Sequence, residues 1–156
     1  MKNKSLLFII SGVIIVAGIV LFVMFSPKKL TCTSKSDQSK NGYVLESKYV
    51  IYPAGKNVSK VEVTQTITSK DEEVLKNFET QFKEDYEYFK KNYGGYEYKI
   101  SNNNDKLSSK ITINYKKLDM KKFIENNSAM KQYTKNNKLT MDGAKKMYEA
   151  SGATCK

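Results

Sequence analysis

The chain has 156 residues, enough for one folded domain and a further segment, and its formal net charge at pH 7 is +11. All 27 basic side chains are lysine, because the sequence contains neither arginine nor histidine. The lack of histidine removes the commonest general base and the commonest metal ligand. The composition therefore disfavours acid–base enzymes and histidine-ligated metal centres, and it favours a protein with anionic partners.

The N-terminal part has the pattern of a membrane anchor. The run "LLFIISGVIIVAGIVLFVMF" contains 20 residues and no charged side chain, so as a helix it would span roughly 30 Å, the thickness of a bilayer's hydrocarbon core. We predict a cytoplasmic N-terminus at residues 1–4, a transmembrane signal anchor at 5–26, and a juxtamembrane linker at 27–29. A cleaved signal peptide is the alternative, although its apolar region usually has only ~7–15 residues. Lysines flank both ends of the run, so charge alone does not orient it.

Two cysteines, Cys32 and Cys155, lie near the two ends of the region that follows the span. Lipid attachment at Cys32 is disfavoured because Lys29 stands where a lipoprotein signal has a leucine-like residue. Two cysteines without histidine make at most half of a zinc site, and no histidine can activate Cys32 as a reactive thiol. We interpret the pair as a disulfide, which requires an oxidising compartment and places this region outside the cell. Two free thiols in a cytoplasmic domain remain the alternative.

The first part of this region has the periodicity of β-strands. The segment "LTCTSKS" alternates loosely and could open the sheet. Residues 43–52 and 58–68 then alternate apolar and polar side chains, and the turn sequence "PAGKN" separates them. These segments predict three strands.

A long helix follows the third strand. Ser69 and Glu72 have the spacing of a capping box, and acidic residues fill the predicted first turn. An apolar stripe at spacings of three and four continues to Tyr93, and Gly94-Gly95 interrupts it. We predict a helix over residues 70–92, packed on the sheet.

The remaining sequence predicts a hairpin and two further helices. Residues 96–101 and 107–116 alternate around the turn sequence "NNND", and Asp119 begins a short helix. The segment "NNSAMKQYTKNN" has the composition of a loop, and Thr140 caps a last helix at 141–151. We therefore predict an α+β domain over residues 30–156, an antiparallel sheet in the order β-β-β-α-β-β-α-α with its helices on one face, preceded by one transmembrane helix.

Three of these segments resemble the YehR-like family of small bacterial envelope proteins, many of them described as lipoproteins of unknown function. They are "VSKVEVTQTIT" before the long helix, "DKLSSKITINYKKLDMKKF" after it, and the closing "GATCK". The resemblance covers residues 30–156 and implies an early and a late cysteine, matching Cys32 and Cys155. It implies no catalytic or ligand-binding residue. This chain departs from the family in its N-terminal segment, where a predicted spanning helix replaces the lipoprotein signal.

The positive charge predicts the class of partner. Lys2 and Lys4 precede the span, so 25 of the 27 lysines follow it, together with all 16 acidic residues. Such a domain would be attracted to anionic lipid headgroups or anionic wall polymers. Nucleic acid fits poorly with an external domain that lacks arginine. The residues that we predict to contact an anionic surface are Lys116, Lys117, Lys121, Lys122, Lys131, Lys135 and Lys138.

These patterns predict a single-pass protein of the bacterial cell membrane whose C-terminal domain is extracellular. We expect a non-catalytic binding or structural module of the cell envelope, with no catalytic residue, cofactor or metal. The alternatives are an enzyme that acts on the cell wall and an accessory subunit of a membrane complex. The sequence names no protein partner.

Overall fold

The computed structural model describes residues 28–156, which fold around a six-stranded sheet. The strands are β1 (Leu30–Gln38), β2 (Tyr43–Ala54), β3 (Asn57–Thr68), β4 (Tyr96–Asn103), β5 (Lys106–Asn114), β6 (Thr134–Lys135), β7 (Lys138–Leu139) and β8 (Thr154–Cys155). The helices are α1 (Glu72–Tyr93), α2 (Met120–Asn126) and α3 (Met141–Ala150), and short 3-10 turns lie at Ser39–Asn41 and Ser128–Tyr133. The sheet order is β4-β5-β3-β2-β1-β8, while β6 and β7 form a separate hairpin.

The predicted anchor at residues 5–26 and the N-terminus at 1–4 lie outside the described residues. Within residues 28–156, none of the helices combines the length and apolar character that crossing a bilayer requires.

The strand register places the apolar residues of the sheet on one face. Cys32, Tyr49, Val63, Ile111 and Tyr98 lie opposite one another and form a row across five strands. Because alternate residues of a strand point to opposite faces, this row marks the face that the helices cover. The helical residues that join it in the core are Tyr86, Tyr93, Met120, Ile124, Ala144 and Tyr148. The predicted α+β fold with an antiparallel sheet is confirmed.

The predicted element order is incomplete, because it omits three short strands. The segment predicted as a loop contains the 3-10 turn at Ser128–Tyr133 and then β6, which pairs with β7. Asn136 and Asn137 join these two strands with positive φ angles of 52° and 54°, the geometry of a tight two-residue hairpin. The third strand, β8, pairs with β1. Two-residue strands carry too little periodicity to be recognised from sequence.

The predicted capping box at the start of α1 is wrong. The N-cap is Asp71, whose Oδ1 accepts a hydrogen bond from the Glu73 backbone N–H at 2.9 Å. The Ser69 hydroxyl is already used, because it donates to the Gly42 carbonyl at 2.7 Å and accepts from the Asp71 N–H at 3.0 Å. Ser69 therefore ties the end of β3 to the start of β2, and α1 begins at Glu72.

The disulfide predicted between Cys32 and Cys155 is present, with a Cα–Cα distance of 4.0 Å. It joins directly opposed residues of β1 and β8. Beside it, Thr31 and Lys156 exchange two backbone hydrogen bonds of 3.0 and 2.8 Å. Since β8 has only two residues, the covalent bond is its main attachment to the edge of the sheet.

We expect the double substitution Cys32→Ser and Cys155→Ser to lower the free energy of unfolding by about 2–4 kcal/mol, because the disulfide closes a long loop in the unfolded chain. Urea unfolding of the oxidised wild type, the reduced wild type and the double variant measures this change. The reductant should not affect the double variant. An unchanged midpoint on reduction of the wild type would contradict the expectation.

Candidate functional site

A cleft of about 450 Å³ opens at one end of the sheet. Its walls are the β2–β3 turn, the chain that leaves β5, and the β6–β7 hairpin. Backbone hydrogen bonds hold these segments together: the Met141 N–H donates to the Lys56 carbonyl at 2.9 Å, and the Tyr115 N–H donates to the Ser59 carbonyl at 3.0 Å. The cleft therefore depends on segments that are far apart in the sequence.

The cleft combines an apolar floor with a polar rim. Four lining residues are buried and apolar: Val58, Leu118, Met120 and Leu139. Ala54 and the polar or cationic residues complete the lining: Asn57, Ser59, Tyr115, Lys116, Asn137 and Lys138. Lys116 and Lys138 are exposed and come from different walls. This arrangement suits a ligand that has both an anionic group and an apolar part.

Further lysines lie around Tyr52 at the same end of the sheet. The Lys29 and Lys60 Nζ atoms lie 4.6 and 4.1 Å from the centroid of the Tyr52 ring, within range of cation–π attraction. Glu62 accepts hydrogen bonds from Lys60 Nζ at 2.6 Å and from Tyr52 Oη at 2.7 Å. These bonds, together with the charges of Lys60 and Lys29, hold the pKa of Glu62 below its usual value. The carboxylate nearest these lysines is thus already engaged.

The seven lysines predicted to contact an anionic surface are distributed over the chain that leaves β5, α2, the 3-10 turn after it and the β6–β7 hairpin. Lys116 and Lys138 line the cleft. Lys117 follows Lys116 along the same wall, and Lys135 is the cross-strand neighbour of Lys138 in the hairpin. The remaining three lie on α2 and on the 3-10 turn after it, and all are exposed: Lys121, Lys122 and Lys131.

The prediction missed Lys29 and Lys60, which lie far in the sequence from the seven lysines that it named. It also missed the polar residues of the cleft, Asn57, Ser59 and Asn137. The turn signals "GKN" and "KNNK" mark two of the walls in the sequence, but nothing in the sequence indicates that the two turns are neighbours. We call the end of the sheet that carries the cleft and Lys29 the basic end.

The opposite end of the sheet carries more acidic than basic residues. Its acidic residues are Asp37, Asp71, Glu72, Glu73, Glu79 and Asp105, and its lysines are Lys40, Lys70, Lys76, Lys83 and Lys106. A wider groove of about 920 Å³ lies there, with Leu75 as its buried apolar residue. Lys83 and Asn102 donate to the Glu79 carboxylate at 2.6 and 3.2 Å and lower its pKa. Because Leu75 is the one apolar residue among the described residues that line it, this groove is less suited to a ligand with an apolar part than the cleft.

Within residues 28–156, no three acidic or cysteine side chains come together in a group that could hold a metal ion. Both cysteines of the chain are joined in the disulfide, so neither sulfur is a thiol. The residues at the cleft can therefore bind and position a ligand through lysine, amide and hydroxyl groups.

No protein-family model matches the chain, and no curated protein matches it. Among solved structures, the NMR structure of the E. coli YehR protein is similar, with 19% identity, a TM-score of 0.52, and coverage of 82% of this chain and 91% of that one. The NMR structure of a protein from Streptococcus pneumoniae TIGR4 has 17% identity, a TM-score of 0.47, and coverage of 83% and 86%. The likeness to YehR shows the fold alone, and the fold of this chain is YehR-like.

Three tyrosines of the domain have a raised pKa because their phenols are buried. Burial, with a contribution from Tyr93, raises the pKa of Tyr96 to about 12. Burial also raises the pKa of Tyr115 and of Tyr148, and the nearby Tyr96 contributes to both shifts. Tyr115 lines the cleft, and its raised pKa means that its phenol is neutral at physiological pH.

We expect the free energy of unfolding to fall as the pH rises through 10 to 12. The folded-state pKa of Tyr96, about 12, exceeds the ordinary value of 10.0, so its stabilising contribution is complete below about pH 10 and is lost as the pH rises through the folded-state pKa. Urea unfolding across this range should show a shallower fall for Tyr96→Phe. Equal slopes for the wild type and Tyr96→Phe would count against this cause.

Proposed function

We propose that this chain is a YehR-like envelope protein of the bacterial cell membrane, whose extracellular domain is a binding module without catalytic activity. The predicted single span tethers the domain, and its basic end contacts anionic lipid or wall polymer. One observation carries the proposal: the chain enters the domain at the basic end, beside the cleft.

The register of the sheet supports this placement. Leu30, the first residue of β1, lies opposite Ile51, near the end of β2, and the cleft begins only a few residues beyond, at Ala54. A span that ends at residue 26 leaves the linker 27–29, which reaches at most roughly 10 Å when fully extended. The tether would therefore keep the basic end close to the membrane surface, where anionic groups attract lysine.

The side chains available at the cleft support binding over catalysis. General acid–base chemistry at neutral pH is most efficient with a group whose pKa lies near 7. The chain has no histidine, the tyrosine of the cleft remains neutral, and the lining residues offer lysine, amide and hydroxyl groups. Such groups can hold an anion by charge-assisted hydrogen bonds.

The location can be tested through the disulfide. We expect a membrane-impermeant maleimide, applied to intact cells that produce the full chain, to label Cys32 and Cys155 only after reduction, because both sulfurs are oxidised outside the membrane. A Cys32→Ser and Cys155→Ser variant is the control for background labelling. Labelling that requires permeabilised cells would contradict the outward orientation.

Binding can be tested with the full chain in nanodiscs of phosphatidylcholine with and without phosphatidylglycerol, because the basic end would face the lipid of its own disc. We expect the amide NMR signals of Asn57 and Ser59 to differ between the two kinds of nanodisc at low salt and to converge at about 1 M salt, where the screening length is only about 3 Å. The amide signal of Asp71, at the opposite end of the sheet, is the control and should be the same in both. Signals of Asn57 and Ser59 that differ equally at both salt concentrations, or that do not differ at low salt, would count against electrostatic binding.

A further inference from the structure

We propose that the cleft at the basic end binds one headgroup of an anionic phospholipid from the membrane that holds the predicted span. This proposal rests on the proposed function and names the ligand of the same site. In it, the Lys116 and Lys138 ammonium groups hold the phosphate, and the buried apolar side chains contact the glycerol and the first carbons of the acyl chains.

The charges of the cleft fit an anion. Among the described residues that line it, none is acidic, while Lys116 and Lys138 supply cations from two different walls. Asp119, between the lining residues Leu118 and Met120, caps α2 by accepting the Lys122 N–H at 3.1 Å. Two other carboxylates are paired with lysine: Glu62 is bound by Lys60 and Tyr52, and Asp142 by Lys146 Nζ at 2.8 Å. An anion that enters the cleft therefore meets two ammonium groups and no carboxylate of the lining.

The apolar floor favours a lipid over a soluble phosphate polymer. Val58, Leu118 and Leu139 are at least nine-tenths buried, yet they line the cleft together with the two lysines. A fully polar polymer would gain nothing from covering this surface, whereas each buried CH₂ group of a lipid contributes roughly 0.8 kcal/mol in transfer from water. The volume of about 450 Å³ lies within the ordinary range for small-ligand sites.

The hairpin wall is held in place before a ligand arrives. A side chain at Gly143 of α3 would overlap the Tyr133 carbonyl oxygen, so glycine allows the backbone that leads into β6 to pack directly on the helix. The Thr140 hydroxyl accepts the Gly143 N–H at 2.9 Å and so fixes the start of this helix against the hairpin. A wall that is already ordered pays little conformational entropy when it binds.

The tether would raise the occupancy of a headgroup site that is weak by itself. The linker 27–29 would keep the cleft near the lipid surface, so the local concentration of headgroups is high and does not depend on the amount of protein. Occupancy would hold the domain upright on the membrane, with its acidic end directed away from the anionic surface.

The test uses the full chain in phosphatidylcholine nanodiscs, titrated with short-chain dihexanoyl-phosphatidylglycerol below its micelle concentration. We expect saturable changes in the amide NMR signals of Asn57, Ser59 and Asn137. The substitutions Lys116→Gln and Lys138→Gln together should weaken the affinity at least tenfold, about 1.4 kcal/mol. Unchanged amide signals elsewhere would show that this variant is folded.

The matched control removes the same charge outside the cleft, through Lys121→Gln on α2 and Lys131→Gln on the 3-10 turn, neither of which lines it. It should change the affinity by no more than about twofold, because salt screens exposed charges that do not contact the ligand. Equal losses from the two pairs would overturn the site and leave diffuse attraction. Equally tight binding of dihexanoyl-phosphatidylcholine would overturn anion recognition, and equally tight binding of glycerol phosphate would overturn the role of the apolar floor. Failure of the proposed function shows separately, as cysteine labelling only in permeabilised cells.

Discussion

The antiparallel register of the central strands is the constraint on which the rest of the structure depends. It aligns Tyr49, Val63 and Ile111 on one face, so that a slip by one residue would turn this row towards water. Leu30 pairs with Ile51 in the same register, so β1 begins at the end of the sheet where β2 finishes. Core formation and the point at which residue 30 enters the sheet are therefore decided together.

The same register separates the charges of the domain. Antiparallel strands bring the β2–β3 turn, the end of β5 and the start of β1 to one end, where lysines predominate. The other end collects Asp71 and the acidic first turn of α1, where the helix dipole favours negative charge. The two ends of the sheet therefore differ in charge, which gives the domain an electrostatic polarity along its strands.

The disulfide and the cleft are built from different segments of the domain. The Cys32–Cys155 bond attaches the last strand to the first and so stabilises the edge of the sheet nearest the entry of the chain. The cleft is built by the turn at Asn57 and the hairpin at Asn137, which are joined through the ordered start of α3.

The class of fold, the long elements and the pairing of the two cysteines could be predicted from the sequence. Strands with a period of two and a helix with an apolar stripe are local patterns, and a lone pair of cysteines in a chain without histidine has few other roles. The start of α1 could not be located from the sequence, because Ser69 has the right spacing for a cap but its hydroxyl donates to the Gly42 carbonyl across the fold. Tertiary structure alone placed Lys116 and Lys138 in one cleft and left Lys121 and Lys131 outside it, since their neighbourhood depends on the contact between the β2–β3 turn and a hairpin some 80 residues further along the chain. Which residues pack together across such distances is a property of the whole sheet and its helices, and no local pattern records it.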